Sequence, residues 1–129
     1  MGKRYLIDTN SLIEFTGGLL PERVYTALSA IIDTDFNISF INKLEVLGHH
    51  TADEAWQIFI EQANIFKADD DIINQTIEIR KNHKIKIPDA IVAATALVND
   101  LILITRNTKD FKNIPGLQME SPWDWELKR

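Results

Sequence analysis

Cysteine is missing altogether from the 129 residues, which excludes disulfides, thiolate metal sites and cysteine nucleophiles. Glycine and proline are sparse, at 5 and 4 residues, and no glycine-rich loop of the kind that cradles phosphates is present. No apolar run approaches the roughly 18–20 residues needed to span a membrane. A basic excess is also lacking: 14 Lys and Arg against 19 Asp and Glu give a net charge of −5 and a pI near 5.1. Such a chain does not coat nucleic acid through a broad positive field. Internal repeats, low-complexity segments and linkers are absent, so one domain spanning residues 1–129 is expected, long enough to bury a real core. The opening Met1-Gly2-Lys3-Arg4-Tyr5 runs directly into a strand-like segment with no signal-peptide pattern. A cytoplasmic address without membrane attachment is the expectation.

What is present is an alternation of short apolar runs and amphipathic stretches. Strands are expected at Arg4–Ile7, Asn37–Ile41, Asn64–Lys67, Leu101–Thr105 and near Leu117–Met119. Between them, helical spacing recurs at Val24, Leu28, Ile31 and Ile32 behind Pro21, a good first-turn residue. A further helix is expected from about Lys43 to His49. Thr51-Ala52-Asp53-Glu54 has the form of a capping box ahead of Ala55, Trp56, Phe59, Ile60 and Ala63. Asp69-Asp70-Asp71 suits the start of a helix bearing Ile72, Ile73, Ile77 and Ile79. The stretch from Asp89 to about Asn99 is almost uniformly apolar and small, as in a helix buried against a sheet. This alternation implies an α/β fold with a mostly parallel sheet covered on both faces.

Four acidic residues fall where strands end and helices begin. Asp8 closes Tyr5-Leu6-Ile7, Glu45 follows Ile38-Ser39-Phe40-Ile41, Asp89 follows Pro88, and Asp110 comes shortly after Leu101–Thr105. Ligands of open α/β sheets bind at the carboxyl ends of the strands. Carboxylates gathered there repel one another unless protons or a hard cation neutralise them. Each has a plainer reading: Asp8 and Asp89 as helix caps, Glu45 on a solvated helix face, Asp110 in a turn. Glu45 lies among Leu44, Val46 and Leu47, which favours an inward-facing carboxylate in need of a partner. Asn107 competes with Asp110 for the fourth position, since an amide oxygen can ligate a hard cation without adding charge. Thr9, Asn10 and Ser39 supply neutral groups to position a water or an acid. An oxygen-only set of this kind suits Mg²⁺ or Mn²⁺, and phosphodiester hydrolysis by in-line attack is the natural reaction.

Read in order, the blocks Leu6-Ile7-Asp8-Thr9-Asn10-Ser11-Leu12-Ile13, Ile38 to Gly48, Ile87 to Ala96, Leu103 to Phe111, Ile114-Pro115-Gly116-Leu117 and Pro122-Trp123 resemble the PIN domains. The resemblance is specifically to the VapC-type toxin ribonucleases of bacterial toxin–antitoxin pairs. It implies a three-layer α/β/α fold with a central parallel sheet and metal-dependent endoribonuclease activity. It further implies Mg²⁺ or Mn²⁺ at Asp8, Glu45, Asp89 and Asp110, an RNA substrate, a cognate antitoxin that blocks the site, and often a homodimer. One departure is Asn107, which stands where many relatives carry an acid. Rival readings are a PIN-like module that binds RNA or a partner without catalysis, and a phosphate-handling α/β domain such as a phosphatase.

Arg80-Lys81-Asn82-His83-Lys84-Ile85-Lys86 is the densest basic run and leads directly to Asp89. Arg80, Lys81, Lys84 and Lys86, with Arg106 and Lys109, are the candidates for holding an RNA backbone, against the ordinary role of a solvated loop. His49-His50 lacks the spacing of a transition-metal site and reads as an exposed helix end. Trp123 and Trp125 read as anchors of the C-terminal tail, with base stacking as the alternative.

Overall fold

A computed structural model describes residues 2–126. The described residues form five short strands: β1 (Tyr5–Ile7), β2 (Asn37–Ser39), β3 (Asn64–Phe66), β4 (Ile102–Ile104) and β5 (Met119–Glu120). Six helices accompany them: α1 (Thr9–Thr16), α2 (Glu22–Thr34), α3 (Phe40–Leu47), α4 (Glu54–Glu61), α5 (Asp70–Asn82) and α6 (Ile87–Val98). Two 3₁₀ turns, Thr108–Phe111 and Pro122–Glu126, complete the set. None of the described helices is long and apolar enough to cross a membrane.

Every strand pairing is parallel. One ladder has the order β1-β4-β5, with Leu6 opposite Leu103, and the other pairs β2 with β3, Ile38 opposite Ile65. The ladders meet along β1 and β2, and the side chain of Asn37 stitches them together. Its Nδ2 donates to the Tyr5 carbonyl at 3.0 Å and to Asp35 Oδ2 at 2.9 Å, and its Oδ1 accepts from Asn64 Nδ2 at 3.1 Å. Arg4 Nε donates to the same Asp35 oxygen at 2.8 Å.

The pleat sends alternate residues to opposite faces. Leu6 and Leu103 join Ile72, Ile79, Ala90, Ala93, Ala94 and Phe111 on one side. Ile7, Ile38 and Ile104 join Leu12, Val24, Leu28, Val46, Trp56 and Ile60 on the other. The result is the expected three-layer α/β/α arrangement. Helix α6 owes its place to its small residues: Ala90, Ala93, Ala94 and Ala96 are all buried, so its backbone lies close to the sheet and to α5.

Several boundaries differ from the sequence expectations. Strand β2 stops at Ser39 rather than Ile41, because Ser39 caps α3. Its Oγ accepts the Ile41 N–H at 3.1 Å, and its own N–H donates to Asn42 Oδ1 at 2.8 Å. Helix α3 therefore begins at Phe40, ahead of Lys43. The expected Thr51–Glu54 capping box does not form; Asp53 caps α4 by accepting the Trp56 N–H at 3.1 Å. Helix α6 begins at Ile87 with Lys86 at its N-cap, which leaves Asp89 inside the first turn. On α5, Ile72 and Ile79 face inward, seven residues apart, whereas Ile73 and Ile77 are exposed. Trp123 and Trp125 pack against the α2 side of the core, as expected of anchors.

Asn37 is fully buried, so its removal leaves the Tyr5 carbonyl short of a partner and the Asp35 carboxylate short of one donor. Asn37→Ala is expected to cost about 1–3 kcal/mol, the penalty for orphaned buried polar groups. Urea denaturation measures it, and a loss of only a few tenths would show that the two ladders do not depend on this side chain.

Candidate metal centre

Strands β1 and β4 are parallel neighbours, so their carboxyl ends lie side by side. Asp8 follows β1, and its N–H donates to the Ile104 carbonyl at 2.9 Å. It occupies the N-cap position of α1, yet its side chain makes no capping hydrogen bond. Both oxygens turn instead toward tertiary partners. Thr105 Oγ1, just past β4, donates to Oδ2 at 2.8 Å, and Asn42 Nδ2, from α3, donates to Oδ1 at 3.2 Å. Asp8 is buried.

Asn42 is fully buried at the start of α3, where the Ser39 N–H fixes its oxygen and so aims its amide group. That amide also reaches Thr9 Oγ1 at 3.1 Å, and Thr9 in turn donates to Glu45 Oε1 at 2.5 Å. Glu45 is exposed rather than inward-facing. The inner face of α3 is taken by Asn42 and Val46, which leaves Glu45 on the open side. Ser39 thus serves the site at one remove, by capping α3 and orienting Asn42. Asn10 braces the same corner: its Nδ2 donates to Thr105 Oγ1 at 3.4 Å, and its Oδ1 accepts the Arg106 N–H at 3.2 Å.

Asp8, Thr9, Asn10, Ile13, Glu45, His49, Asp89 and Asn107 line one open cleft of about 360 Å³. Asp110 is not on its wall. It borders an adjoining cleft of about 300 Å³ with Lys84, Lys86, Lys109 and Asp89. Asp89 thus shares one cleft with Asn107 and the other with Asp110. Sequence reasoning missed Asn42 and Thr105. The one visible signal was the Ser39-to-Asn42 spacing ahead of Glu45, which fits a helix start bearing a polar side chain.

The basic candidates divide in the same way. Lys84, Lys86 and Lys109 edge the adjoining cleft. Arg80 is occupied with the Ile85 carbonyl, and Arg106 donates to the buried Glu14 at 2.5 Å. Trp123 Nε1 takes the other Glu14 oxygen at 3.0 Å. Those two arginines brace the loops beside the site. Lys81 is exposed on α5 and lines none of these clefts.

Comparison with known families decides the fold's identity. A family model described as PIN domain matches residues 5–117. The chain belongs to the PIN domain family. Among solved structures, this PIN domain is similar to a chain of a toxin–antitoxin complex from Klebsiella pneumoniae. The identity is 32%, over 92% of this chain and 97% of that one, with a TM-score of 0.73. It shares the fold of chains in VapBC-1 from nontypeable Haemophilus influenzae (23% identity, 92% and 98% coverage, TM-score 0.75) and in FitAcB from Neisseria gonorrhoeae (22%, 92% and 98%, 0.73). No curated protein sequence matches it.

The electrostatics of this PIN domain follow from its geometry. Burial pushes the Asp8 carboxyl up to about 6, against the opposing pull of the Thr105 hydrogen bond, and the carboxylates of Asp89 and Glu45 add to the rise. Asp89 is raised first by burial, then by Asp110 and Glu45, while Lys86 pulls the other way. Among the described residues, no three His, Cys, Asp or Glu side chains converge tightly enough to grip an ion alone. A hydrated hard cation does not require that, since Mg²⁺ takes one or two direct carboxylates and keeps several waters. The mutually repelling carboxylates of Asp8, Glu45 and Asp89, with the Asn107 amide oxygen, fit such an ion.

The sign of the Asp8 shift fixes a pH dependence. Its folded value lies above its unfolded one, so its contribution to stability falls as pH rises from about 4 to 6 and is level above that. The shift corresponds to roughly 3 kcal/mol. Without added metal, the stability difference between wild type and Asp8→Asn should move by that order in favour of the asparagine variant across this window. Chemical denaturation at pH 4 and pH 7 checks it, whatever constant offset the amide introduces. A flat difference would mean that Asp8 titrates as an ordinary carboxylate.

Proposed function

We propose that this PIN domain is a metal-dependent endoribonuclease and the toxin member of a toxin–antitoxin pair. The observation that carries the reading is the cleft where Asp8, Glu45 and Asp89 meet, with Asp8 buried among neutral donors and neighbouring carboxylates. A merely structural role would have left Asp8 capping α1. Asp8, Glu45 and Asp89 would hold Mg²⁺ or Mn²⁺, with Asn107 offering a neutral oxygen on the same wall and Asp110 lending its charge to Asp89. When bound, the ion makes a water easier to deprotonate and screens the phosphate of the scissile bond. The chain's own residues do the positioning. Asn42 and Thr105 fix the Asp8 carboxylate, and Thr9 fixes Glu45.

Lys84, Lys86 and Lys109 border the cleft adjoining Asp89, and Lys84 and Lys109 continue with His83 and Lys112 along a third, of about 350 Å³. That strip would carry the RNA backbone past the metal. The toxin–antitoxin complexes of similar fold support a protein antitoxin as partner, and a homodimer is part of the same reading.

Two outcomes test the proposal. Antitoxin-free protein should cleave a mixed RNA pool with Mg²⁺ or Mn²⁺ and fall silent with chelator. Folded Asp8→Asn and Asp89→Asn should each lose at least about a hundredfold in rate, the scale of removing one group from a preorganised charged site. Wild type that binds RNA or a partner yet never cuts would hand the fold to the non-catalytic module instead. Separately, Lys84→Glu with Lys109→Glu should weaken RNA binding and flatten its salt dependence, because each neutralised phosphate releases counterions. Unchanged affinity and salt slope would remove the basic strip from the interface.

A further inference from the structure

His49 lies just past α3, where Gly48 ends the helix, and it lines the acidic cleft with Asp8, Glu45 and Asp89. Its ring is held from three directions. Thr51 Oγ1 sits 2.7 Å from Nδ1, and the Thr51 N–H donates to the same nitrogen at 3.3 Å. The ring stacks on His50 with centroids 4.5 Å apart, and it lies 5.9 Å from Trp56, which is buried. A backbone N–H donates only to an unprotonated ring nitrogen, so this bond assigns the proton of the neutral imidazole to Nε2. Among the described residues Nε2 has no partner. Thr51, free of the capping box its sequence suggested, is what sets this tautomer.

Apart from the Asn107 amide, the rest of the cleft wall is poor in free donors. Asp8, Glu45 and Asp89 are acceptors when ionised. The Thr9 hydroxyl donates to Glu45 and the Asn10 amide to Thr105. A phosphodiester entering this space meets like charge and has few groups to bond. We propose that His49 contacts the substrate, donating Nε2–H to a phosphate oxygen of the strand lying in the cleft. The inference rests on the nuclease reading for the identity of that strand. The ring is already ordered by Thr51, His50 and Trp56, so little conformational freedom is lost when the donor is used.

Imidazole ¹⁵N NMR tests the ring directly. In the metal-free protein the His49 Nδ1 should read as unprotonated and Nε2 as protonated. Titration with a short single-stranded DNA oligonucleotide, which lacks the 2′-hydroxyl, should shift the Nε2 resonance. Kinetics on single-stranded RNA supply the second readout. His49→Ala should raise KM about tenfold with a smaller change in kcat. His49→Gln, whose amide nitrogen approximates the position of Nε2, should recover most of the loss. Thr51→Val should fall between, because it frees the ring without deleting it. An unmoved His49 resonance, or His49→Ala at wild-type KM while RNA is still cleaved, overturns the inference and leaves the nuclease reading standing. A shifted resonance in a protein that cleaves no RNA keeps the His49 contact and removes the nuclease reading.

Discussion

The interaction on which the site depends is the burial of one carboxylate between two strand ends. Asp8 follows β1, is largely buried, and is met by one neutral side-chain donor on each oxygen, from Asn42 on α3 and Thr105 after β4. Two hydrogen bonds do not replace the hydration of a carboxylate, so its affinity for a proton rises. The same deficit is an affinity for any cation that can approach. Fold and chemistry are therefore coupled at this residue. The backbone of Asp8 belongs to the sheet through its bond to Ile104, and its side chain joins α3 to β4.

A parallel sheet explains why the other acids arrive there. All strand ends of one polarity lie on one edge, and each is followed by a helix or turn whose first residues overhang that edge. Glu45 comes from the second turn of α3, after β2, and Asn107 from the loop after β4; Asp89 arrives differently, on the first turn of α6, which follows α5 rather than a strand. At the start of the strands the opposite solution holds. There Asn37, Asp35, Arg4 and Asn64 bond to one another and to the chain, and the charge of Asp35 is matched by Arg4, which holds its carboxyl below the usual range. One edge of the sheet satisfies its polar groups internally, and the other leaves carboxylates facing a cleft.

This contrast also marks what was legible in the sequence. Asp8 and Glu45 stood out because a strand-to-helix junction is a local pattern, whereas Asp89, expected at such a junction, lies in a helix that follows α5 rather than a strand, and its arrival at the same edge is a matter of helix packing. Asn42 and Thr105 did not, since their value comes from reaching Asp8 across 34 and 97 residues of chain. The end of β2 was misplaced because Phe40 and Ile41 are apolar in either reading, and only the Ser39 cap separates strand from helix. Arg80, in the basic run, and Arg106, near Asp110, looked like free charge. Their guanidinium groups are in fact spent on the Ile85 carbonyl and on Glu14, a distinction that side-chain reach decides and sequence spacing does not.

The placement of Asp110 bears on how an acidic chain can accept a polyanion. With a net charge of −5, long-range attraction would not bring the proposed RNA substrate to this surface, so local charge would have to guide it. Asp110 lies outside the cleft that holds Asp8 and Glu45 and lines a second one with Lys84, Lys86, Lys109 and Asp89. Those lysines neutralise the approach to Asp89, while Asp110 raises the proton affinity of Asp89. A strand following the lysines would reach the acidic wall only where a bound cation had already reversed its sign. Selectivity for a loaded site would then be a property of charge layout, with the neutral Asn107 sparing the cleft a fourth negative charge.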